Sequence, residues 1–413
     1  MGVGTFVSQP ARKSTSATTR RATPIRGDML LLVVAIVLMI FGLLMLYSAS
    51  SDFSKRIYDN ASYMFNKQLL WLGIGTAIAF LLARTDYHLW QRIAVPVMVL
   101  TVGLLIAVLV NNQVRFGAVR TFFGGSVQPS ELAKLVTVLY LSVWLYAKRE
   151  QLHNVQLGLI PLAAILGVIG GLIYIQPDLS ATATIFVLGG LLFFLAGGEL
   201  RQIVLFLIVA IIAGWIVVQF SSTGRDRLAS YVAGLKNPLH SDYQVRRSME
   251  ALVRGGWFGL GLGNSITKVT GLPVPPTDSI FAVVAEELGL LGAMSLIAMY
   301  GLLLWRGLRI SAQASDTLGA VMAAGLTFWI VIEASINMAV MVGLLPFAGN
   351  ALPFVSYGGS NLIATLAAVG ILFNISRQAG THVPETGERR TYSATADLRR
   401  RDRRRGLPRT RRS

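Results

Sequence analysis

The chain has 413 residues with a mean hydropathy of +0.60, and only 14% of its side chains are charged, against about 25% in an average soluble domain, so an ordinary water-soluble enzyme is excluded. The net charge of +17 lies mostly at the ends, with +4 in residues 1–28 and +8 in residues 377–413, so the basic isoelectric point does not indicate a nucleic-acid binder. The absence of cysteine excludes disulfides, thiolate metal sites and cysteine nucleophiles.

Long apolar runs with few charges fill most of the sequence. Runs of about 18 or more such residues are typical of transmembrane helices. The predicted spans are 29–48, 69–83, 93–110, 130–147, 157–175, 179–197, 202–220, 280–305, 317–345 and 352–373. The sequence therefore predicts an all-α integral membrane protein with ten transmembrane helices and a long loop, 221–279, between helices 7 and 8.

The positions of Lys and Arg indicate the orientation, because cytoplasmic loops carry an excess of both. Both tails are basic, and so are the short connections that hold Arg84, Arg92, Lys148, Arg149, Arg201, Arg306 and Arg309. Ten spans then place both termini in the cytoplasm and the long loop outside. The predicted domains are a disordered basic cytoplasmic tail (1–28), a membrane domain (29–376) and a disordered Arg-rich cytoplasmic tail (377–413). Both tails would attract anionic membrane lipids.

Charged residues in or beside two spans are candidates for a supporting role, because charges inside a membrane are costly. Glu131 and Lys134 follow Pro129 in the fourth span with i,i+3 spacing, which allows either an internal ion pair or a substrate contact. Asp178 begins the sixth helix and is predicted to cap it.

The long loop carries a glycine-rich stretch with basic residues on both sides. Five glycines fall within nine residues, 255–263, so backbone N–H groups could approach an anion closely. Gly261, Gly263 and Asn264, with the cations that flank them, are therefore candidates for binding a polyanionic head group. The flanking cations are Arg246, Arg247 and Lys268.

Three carboxylates lie where the loop enters the eighth span. Asp278 follows two prolines, and this position suits either a helix cap or a catalytic group. Glu286 and Glu287 lie about two turns further along the same predicted helix. At least one of them needs a partner or a proton.

The last span begins with a Gly pair, Gly358 and Gly359, which allows either close helix packing or a broken helix beside a cavity. Ser356, Tyr357 and Ser360 flank that pair. Glu333 in the ninth span also needs a partner or a proton.

Five segments occur in one order along the chain: 128–134, 176–179, 259–265, 275–289 and 353–360. Together with the ten spans and the long loop, they resemble the SEDS family (shape, elongation, division and sporulation: FtsW, RodA and SpoVE) over roughly residues 29–376. The resemblance implies a peptidoglycan glycosyltransferase that polymerises lipid II at the outer face of the bacterial inner membrane. It also implies a class B penicillin-binding protein as transpeptidase partner, with other divisome membrane proteins. The basic amino-terminal tail and the length are most like FtsW, whereas 344–346 and 352–356 are also close to RodA.

By the same resemblance, Asp278 matches the family's essential aspartate. Glycan extension needs a base for the 4-hydroxyl of the acceptor GlcNAc, and Asp278 could serve as that base. A cationic surround or a divalent cation such as Mg²⁺ would stabilise the departing pyrophosphate, and no organic cofactor is expected. The predicted substrate contacts are Arg246, Arg247, Lys268, Gly261, Gly263, Asn264, Ser356, Tyr357 and Ser360, while the metal ligands are not identified.

Several positions depart from the family pattern. Ser180 stands where Gly is usual, Asn361 where Ser is usual, and Glu333 where a neutral polar residue is usual. The segment 111–127 keeps Arg115 and Arg120 but lacks the usual Trp.

Two other functions stay open. A lipid II flippase could use Glu131, Glu286, Glu287 and Glu333 as a proton relay. A membrane scaffold would leave the glycine-rich stretch and Asp278 unexplained.

Overall fold

The computed structural model describes residues 27–111 and 128–379, and within these ranges the regular structure is helical. Predictions for Arg115, Arg120 and most of both tails lie outside the described residues. The α-helices, in chain order, are Met29–Tyr58 (α1), Tyr63–Arg84 (α2), Trp90–Asn111 (α3), Pro129–Lys148 (α4), Ile160–Ile175 (α5), Leu179–Leu195 (α6), Leu200–Phe220 (α7), Ser222–Lys236 (α8), Tyr243–Gly255 (α9), Ile280–Gln313 (α10), Thr317–Met341 (α11) and Gly359–Gln378 (α12).

A multi-pass membrane protein is confirmed. Nine helices of the described chain are long and apolar enough to cross a membrane, and α6 is apolar but has only 17 residues. These ten helices correspond to the ten predicted spans, although α11 ends at Met341, before the predicted end at 345, and α12 begins at Gly359, after the predicted start at 352. Helix α1 continues beyond its predicted span, while α10 is broken at Gly289, whose φ of 69° and ψ of −170° are not helical.

The first and last helices meet at one end of the bundle. The Asp28 N–H donates to Ser376 Oγ at 2.9 Å, and the Asp28 carboxylate pairs with Arg306. Asp28 also caps α1 by accepting from Leu31 N at 2.9 Å, so it belongs to the membrane domain and not to the tail in which we predicted it. This arrangement agrees with an even number of spans. The side of the membrane that each end faces stays a prediction.

The predicted long loop, 221–279, is mostly helical. It forms α8 and α9, and the buried residues of α9, which include Val245 and Ala251, pack against α10. Helices α4, α11 and α12 are largely buried, whereas only Gln202 and Phe206 of α7 are buried. Helix α7 is therefore peripheral, and the polar residues described next lie among or beside the central helices.

Candidate active site

The segment 273–279 crosses one end of the bundle before α10 begins. Ser279 Oγ donates to the carbonyl of Pro273 at 2.8 Å and accepts from Gln244 Nε2 of α9 at 2.7 Å. Both Ser279 and Gln244 are buried. These bonds fix the segment against α9.

A second irregular segment, 353–358, lies directly against the first. Ser356 Oγ donates to the carbonyl of Thr277 at 2.6 Å, and the Tyr357 N–H donates to the carbonyl of Pro276 at 2.8 Å. Each segment contains a non-glycine residue in the left-handed region, Val274 (φ 42°) and Phe354 (φ 68°). Such conformations cost on the order of 1–3 kcal/mol each and concentrate at functional sites.

Asp278 lies between these anchors and is half-buried. Its carboxylate faces Gly349, because a Cβ atom on that glycine would lie 3.0 Å from Asp278 Oδ2. The residue that caps α10 is Ser279, without a side-chain cap bond, so the predicted helix cap at Asp278 is wrong.

Two buried asparagines that sequence reasoning missed hold this region to α11. Asn337 Nδ2 donates to the carbonyls of Asp278 (2.9 Å) and Asn350 (2.7 Å), and Asn350 Nδ2 donates to the carbonyl of Glu333 at 3.0 Å. The available signal was an amide four residues after Glu333 on an otherwise apolar helix, which places both on one face.

The glycine-rich stretch supplies hydrogen-bond partners to the backbone at the break in α10. At Gly289 the helix loses its internal hydrogen bonds, and inside a membrane such groups need protein partners. The N–H groups of Leu260 and Gly261 donate to the carbonyls of Glu286 (3.0 Å) and Glu287 (2.9 Å).

Beyond the break, the N–H groups of Leu290 and Leu291 are satisfied by the carbonyls of Gly256 (2.8 Å) and Trp257 (3.2 Å). The approach requires glycine, because a Cβ on Gly259 would lie 2.2 Å from the Glu287 carbonyl oxygen. Several N–H groups of this stretch, including that of Gly261, therefore already donate to backbone carbonyls of the protein.

The anion bound by the next turn is the protein's own Glu286 carboxylate. It accepts hydrogen bonds from the N–H groups of Ile266 and Thr267, each at 3.2 Å, and from the hydroxyls of Ser265 and Thr267. Asn264 Nδ2 donates to the Leu260 carbonyl at 3.0 Å. Gly261, Gly263 and Asn264 lie in or beside this folded turn, and their contact with substrate stays a prediction.

Glu287 links the same turn to α1 through hydrogen bonds and an ion pair. Lys268 Nζ donates to Glu287 Oε1 at 2.8 Å and to the Gly263 carbonyl at 2.8 Å, while Ser48 Oγ lies 2.6 and 2.7 Å from the two Glu287 oxygens. We name Ser48, Glu286, Glu287, Lys268 and the turn 265–267 the loop cluster. Because Lys268 is buried in an ion pair, its charge is already compensated.

Arg246 and Arg247, the other two predicted cations, differ in their ion-pair partners. Arg247 pairs with Glu250 and donates to the Thr270 carbonyl at 2.7 Å, whereas Arg246 is exposed and has no carboxylate partner among the described residues. The hydrogen bond from Arg254, followed by the charges of the arginines, holds the pKa of Glu250 below its usual range. Arg246 is thus the member of the predicted set that the fold does not neutralise.

Arg227 of α8, not singled out from the sequence, lines a cavity between α8, α9 and the segment 343–347. Its guanidinium carbon is 5.0 Å from the centroid of the Phe347 ring. Phe347 also lies within 4 Å of the position that a Cβ on Gly349 would take, beside Asp278. No sequence spacing distinguishes Arg227 from its neighbours.

The remaining predicted contacts lie at the start of α12. Burial, and then the nearby Tyr58 and Tyr63, raises the pKa of Tyr357 to about 12, so its hydroxyl remains a donor at neutral pH. Ser360 Oγ accepts from the N–H of Gln128 at 2.9 Å. Gly359 packs against the Trp71 ring, which agrees with the packing interpretation of the Gly pair.

Asp178 caps α6, as predicted, by accepting from Ala181 N at 3.2 Å. Ser180, one of the departures from the family pattern, donates to the same carboxylate at 3.1 Å. Gln128 Nε2 (3.2 Å) and Ser130 Oγ (3.3 Å) also donate to it, so Asp178 connects α6 to the start of α4.

The predicted ion pair in α4 is confirmed and extended. Lys134 Nζ is 2.9 Å from Glu131 Oε1 and also bonds to Glu333 of α11. Asn361 Nδ2 of α12 donates to Glu131 Oε2 at 2.9 Å. We name Glu131, Lys134 and Glu333 the bundle cluster. Two of the departures from the family pattern, Glu333 and Asn361, thus meet at one place.

The chain 27–111 and 128–379 offers no group of three His, Cys, Asp or Glu side chains placed to hold a metal ion. A resident divalent cation held by the protein alone does not fit this donor set.

The comparisons with known proteins agree with this architecture. Residues 28–381 match the model of a family described as cell cycle protein, which groups FtsW, RodA and SpoVE. Stage V sporulation protein E of Bacillus subtilis is 36% identical over 87% of this chain and 99% of its own length. A probable peptidoglycan glycosyltransferase FtsW of Geobacter metallireducens is 36% identical over 86% of this chain and 96% of its own.

Two solved structures share the fold. A chain from a peptidoglycan synthase complex that coordinates polymerization and crosslinking superposes with a TM-score of 0.72 at 25% identity, covering 86% of this chain and 99% of that one. The rod shape determining protein RodA of Thermus thermophilus gives a TM-score of 0.63 at 26% identity, covering 85% of this chain and 97% of that one.

Proposed function

This chain belongs to the FtsW, RodA and SpoVE family, the SEDS family, and from that membership we propose that it is a peptidoglycan glycosyltransferase that polymerises lipid II. The observation that carries the proposal is the setting of Asp278. Its half-buried carboxylate faces Gly349, on a segment anchored by α9, by 353–358 and by Asn337.

In the proposed reaction, the Asp278 carboxylate takes the proton from the 4-hydroxyl of the acceptor GlcNAc. The hydroxyl oxygen then attacks the anomeric carbon of the growing chain, and polyprenyl pyrophosphate leaves with the electron pair of the broken bond. A single displacement inverts the anomeric centre. The carboxylate must come within about 3 Å of the hydroxyl for this step.

The leaving pyrophosphate needs positive charge near it. Arg246 is one candidate, since no carboxylate of the described chain pairs with it. Arg227 is a second candidate because of its position beside Phe347, near Asp278. Lys268 and Arg247 act indirectly, by keeping the segment between α9 and α10 folded. Because Mg²⁺ is commonly bound by one or two carboxylates together with substrate phosphates, an ion used here would arrive with the pyrophosphate.

We further propose that Asp278 faces the outside of the inner membrane, that both termini are cytoplasmic, and that a class B penicillin-binding protein is the partner. The division role is the one we propose, on the FtsW-like tail and length. Depletion in the native bacterium should give filaments without septa. Rounded cells that still divide would assign the chain to elongation, and a defect confined to spores would assign it to sporulation.

Purified protein with purified lipid II tests the activity. Glycan polymer formed in detergent, and increased by the transpeptidase partner, is the expected result. Leaflet exchange of lipid II in vesicles without polymer would instead make the protein a transporter. The positions of the four glutamates do not support the proton relay of a flippase, because they form two separate groups. Glu286 and Glu287 bond to other members of the loop cluster, whereas Glu131 and Glu333 bond to Lys134.

A further inference from the structure

The bundle cluster, which the proposed reaction does not use, contains two carboxylates and one ammonium group. Lys134 Nζ donates to Oε1 of both Glu131 and Glu333. The side chains of Lys134 and Glu333 are only 3% and 2% exposed. If both glutamates were ionised, the cluster would carry a net negative charge among the central helices, where uncompensated charge is costly.

The helices around the cluster do not balance that charge. Helix α12 contributes the neutral Asn361, and the start of α6 adds a further carboxylate, Asp178, through Ser130. Within the described chain, α3 and α10 make no ion pair with the cluster, so Lys134 is its one cation there.

The two glutamates differ in their hydrogen bonds. Both oxygens of Glu131 have donors, Lys134 and Asn361. Glu333 Oε2 is buried and accepts no well-formed hydrogen bond in the described structure, and the indole N–H of Trp329, one turn earlier in α11, faces this carboxylate without reaching normal hydrogen-bond geometry. A buried carboxylate oxygen without a donor loses its solvation without replacement. A neutral hydroxyl in the same position is much less costly.

We propose that the bundle cluster binds one exchangeable proton, carried by Glu333. Glu131 and Lys134 then form a neutral ion pair, and Glu333 is a carboxylic acid in the folded protein. The site adjoins the Asp278 region, because Asn350 bonds to the Glu333 carbonyl and Asn337, one turn further along α11, bonds to the carbonyl of Asp278. This proton site does not depend on the proposed polymerase activity.

Infrared spectroscopy of the full chain in lipid nanodiscs tests the proposal. At neutral pH the wild type should show the carbonyl stretch of a protonated carboxylic acid, and the band should shift when glutamate is ¹³C-labelled. Glu333→Gln should abolish that band. Glu287→Gln is the matched control, since Glu287 is equally buried and also pairs with one lysine, and it should keep the band.

If Glu333→Gln does not fold, Glu333→Asp is measured instead. An aspartic acid at position 333 can keep the proton, but its carbonyl band would no longer shift when glutamate is ¹³C-labelled. A wild type without a labelled band overturns the proposal. So does a band lost in Glu287→Gln and kept in Glu333→Gln. A band that appears only after Na⁺ and K⁺ are removed would assign the site to a cation and also overturn it.

Discussion

The loop cluster and the bundle cluster each combine two buried glutamates with one lysine, yet they compensate the second carboxylate differently. In the loop cluster, Glu286 has no lysine but accepts from two backbone N–H groups and two hydroxyls. In the bundle cluster, Glu333 shares Lys134, and its other oxygen accepts no well-formed hydrogen bond. A count of charges therefore does not describe a buried acid fully, because the hydrogen-bond donors around each carboxylate also affect the cost of its charge.

Removing the lysines should give the largest contrast. Lys134→Met leaves the buried Glu131 carboxylate without its cation, beside the protonated Glu333, and should lower the free energy of unfolding by about 3–5 kcal/mol. Lys268→Met should cost less, because Glu287 keeps the Ser48 hydroxyl and the Ser265 N–H. Unfolding curves in one detergent compare the two variants, and an equal or larger loss for Lys268→Met would contradict the distinction.

Glycine substitutions test whether the glycine-rich stretch serves the helix break. Gly259→Ala places a Cβ 2.2 Å from the Glu287 carbonyl oxygen, whereas Gly263→Ala has a similar φ, 85° against 79°, and nothing within 4 Å. The first should therefore destabilise the protein by about 1–3 kcal/mol more than the second. Thermal unfolding of the pair measures this, and indistinguishable midpoints would mean that the contact with α10 is unimportant.

Neutralising the second glutamate of each cluster should lower stability by unequal amounts. Glu286→Gln turns one acceptor oxygen into a donor group facing N–H and hydroxyl donors, and it should cost about 1–3 kcal/mol. Glu333→Gln retains the Glu131–Lys134 pair and should cost less than about 1 kcal/mol. Hydrogen exchange at 265–267 should accelerate in the first variant only. Acceleration in both would show that the clusters are not independent.

The smallest effect concerns the surface of α9. The pKa of Glu250 is lowered in the folded state, so the ionised side chain adds to the free energy of unfolding. This stabilisation is fully present above the ordinary glutamate pKa of about 4.5 and is lost as the pH falls through the folded pKa. Glu250→Gln should therefore cost less than about 1 kcal/mol at pH 7, and a smaller amount at pH 3. Unfolding midpoints at the two pH values check the sign, and a loss confined to low pH would reverse it.

Much of the fold was predictable, because an apolar run of membrane length directly indicates a transmembrane helix. Three features that depend on local sequence are present in the described chain: an apolar helix at each predicted span, nine of them long enough to cross a membrane, the Glu131–Lys134 pair, and the cap at Asp178. The break at Gly289 was not predicted, because one glycine in an apolar run is tolerated in a helix and only the distant partner segment 256–261 reveals its purpose.

The candidate site was less predictable, since its bonds join residues far apart in sequence. Asp278 was assigned two possible roles, and the position of Ser279 decided against the cap. Lys134 bonds to Glu333, 199 positions away in sequence, and Lys268 bonds to Ser48, 220 positions away. No local sequence pattern could have predicted these two pairs. Asn337 gave one signal, its position four residues after Glu333 on the same face of α11, whereas Asn350 gave none beyond being polar in apolar surroundings.

The base assignment of Asp278 is tested most directly by the initial rate of lipid II polymerisation by Asp278→Asn, with equal amounts of folded protein. The exposed Asp226→Asn on α8 serves as the control. Loss of a positioned general base should slow the reaction by about 10²–10⁴-fold, while the control polymerises at the wild-type rate. An Asp278→Asn protein that polymerises as fast as the wild type would contradict the account.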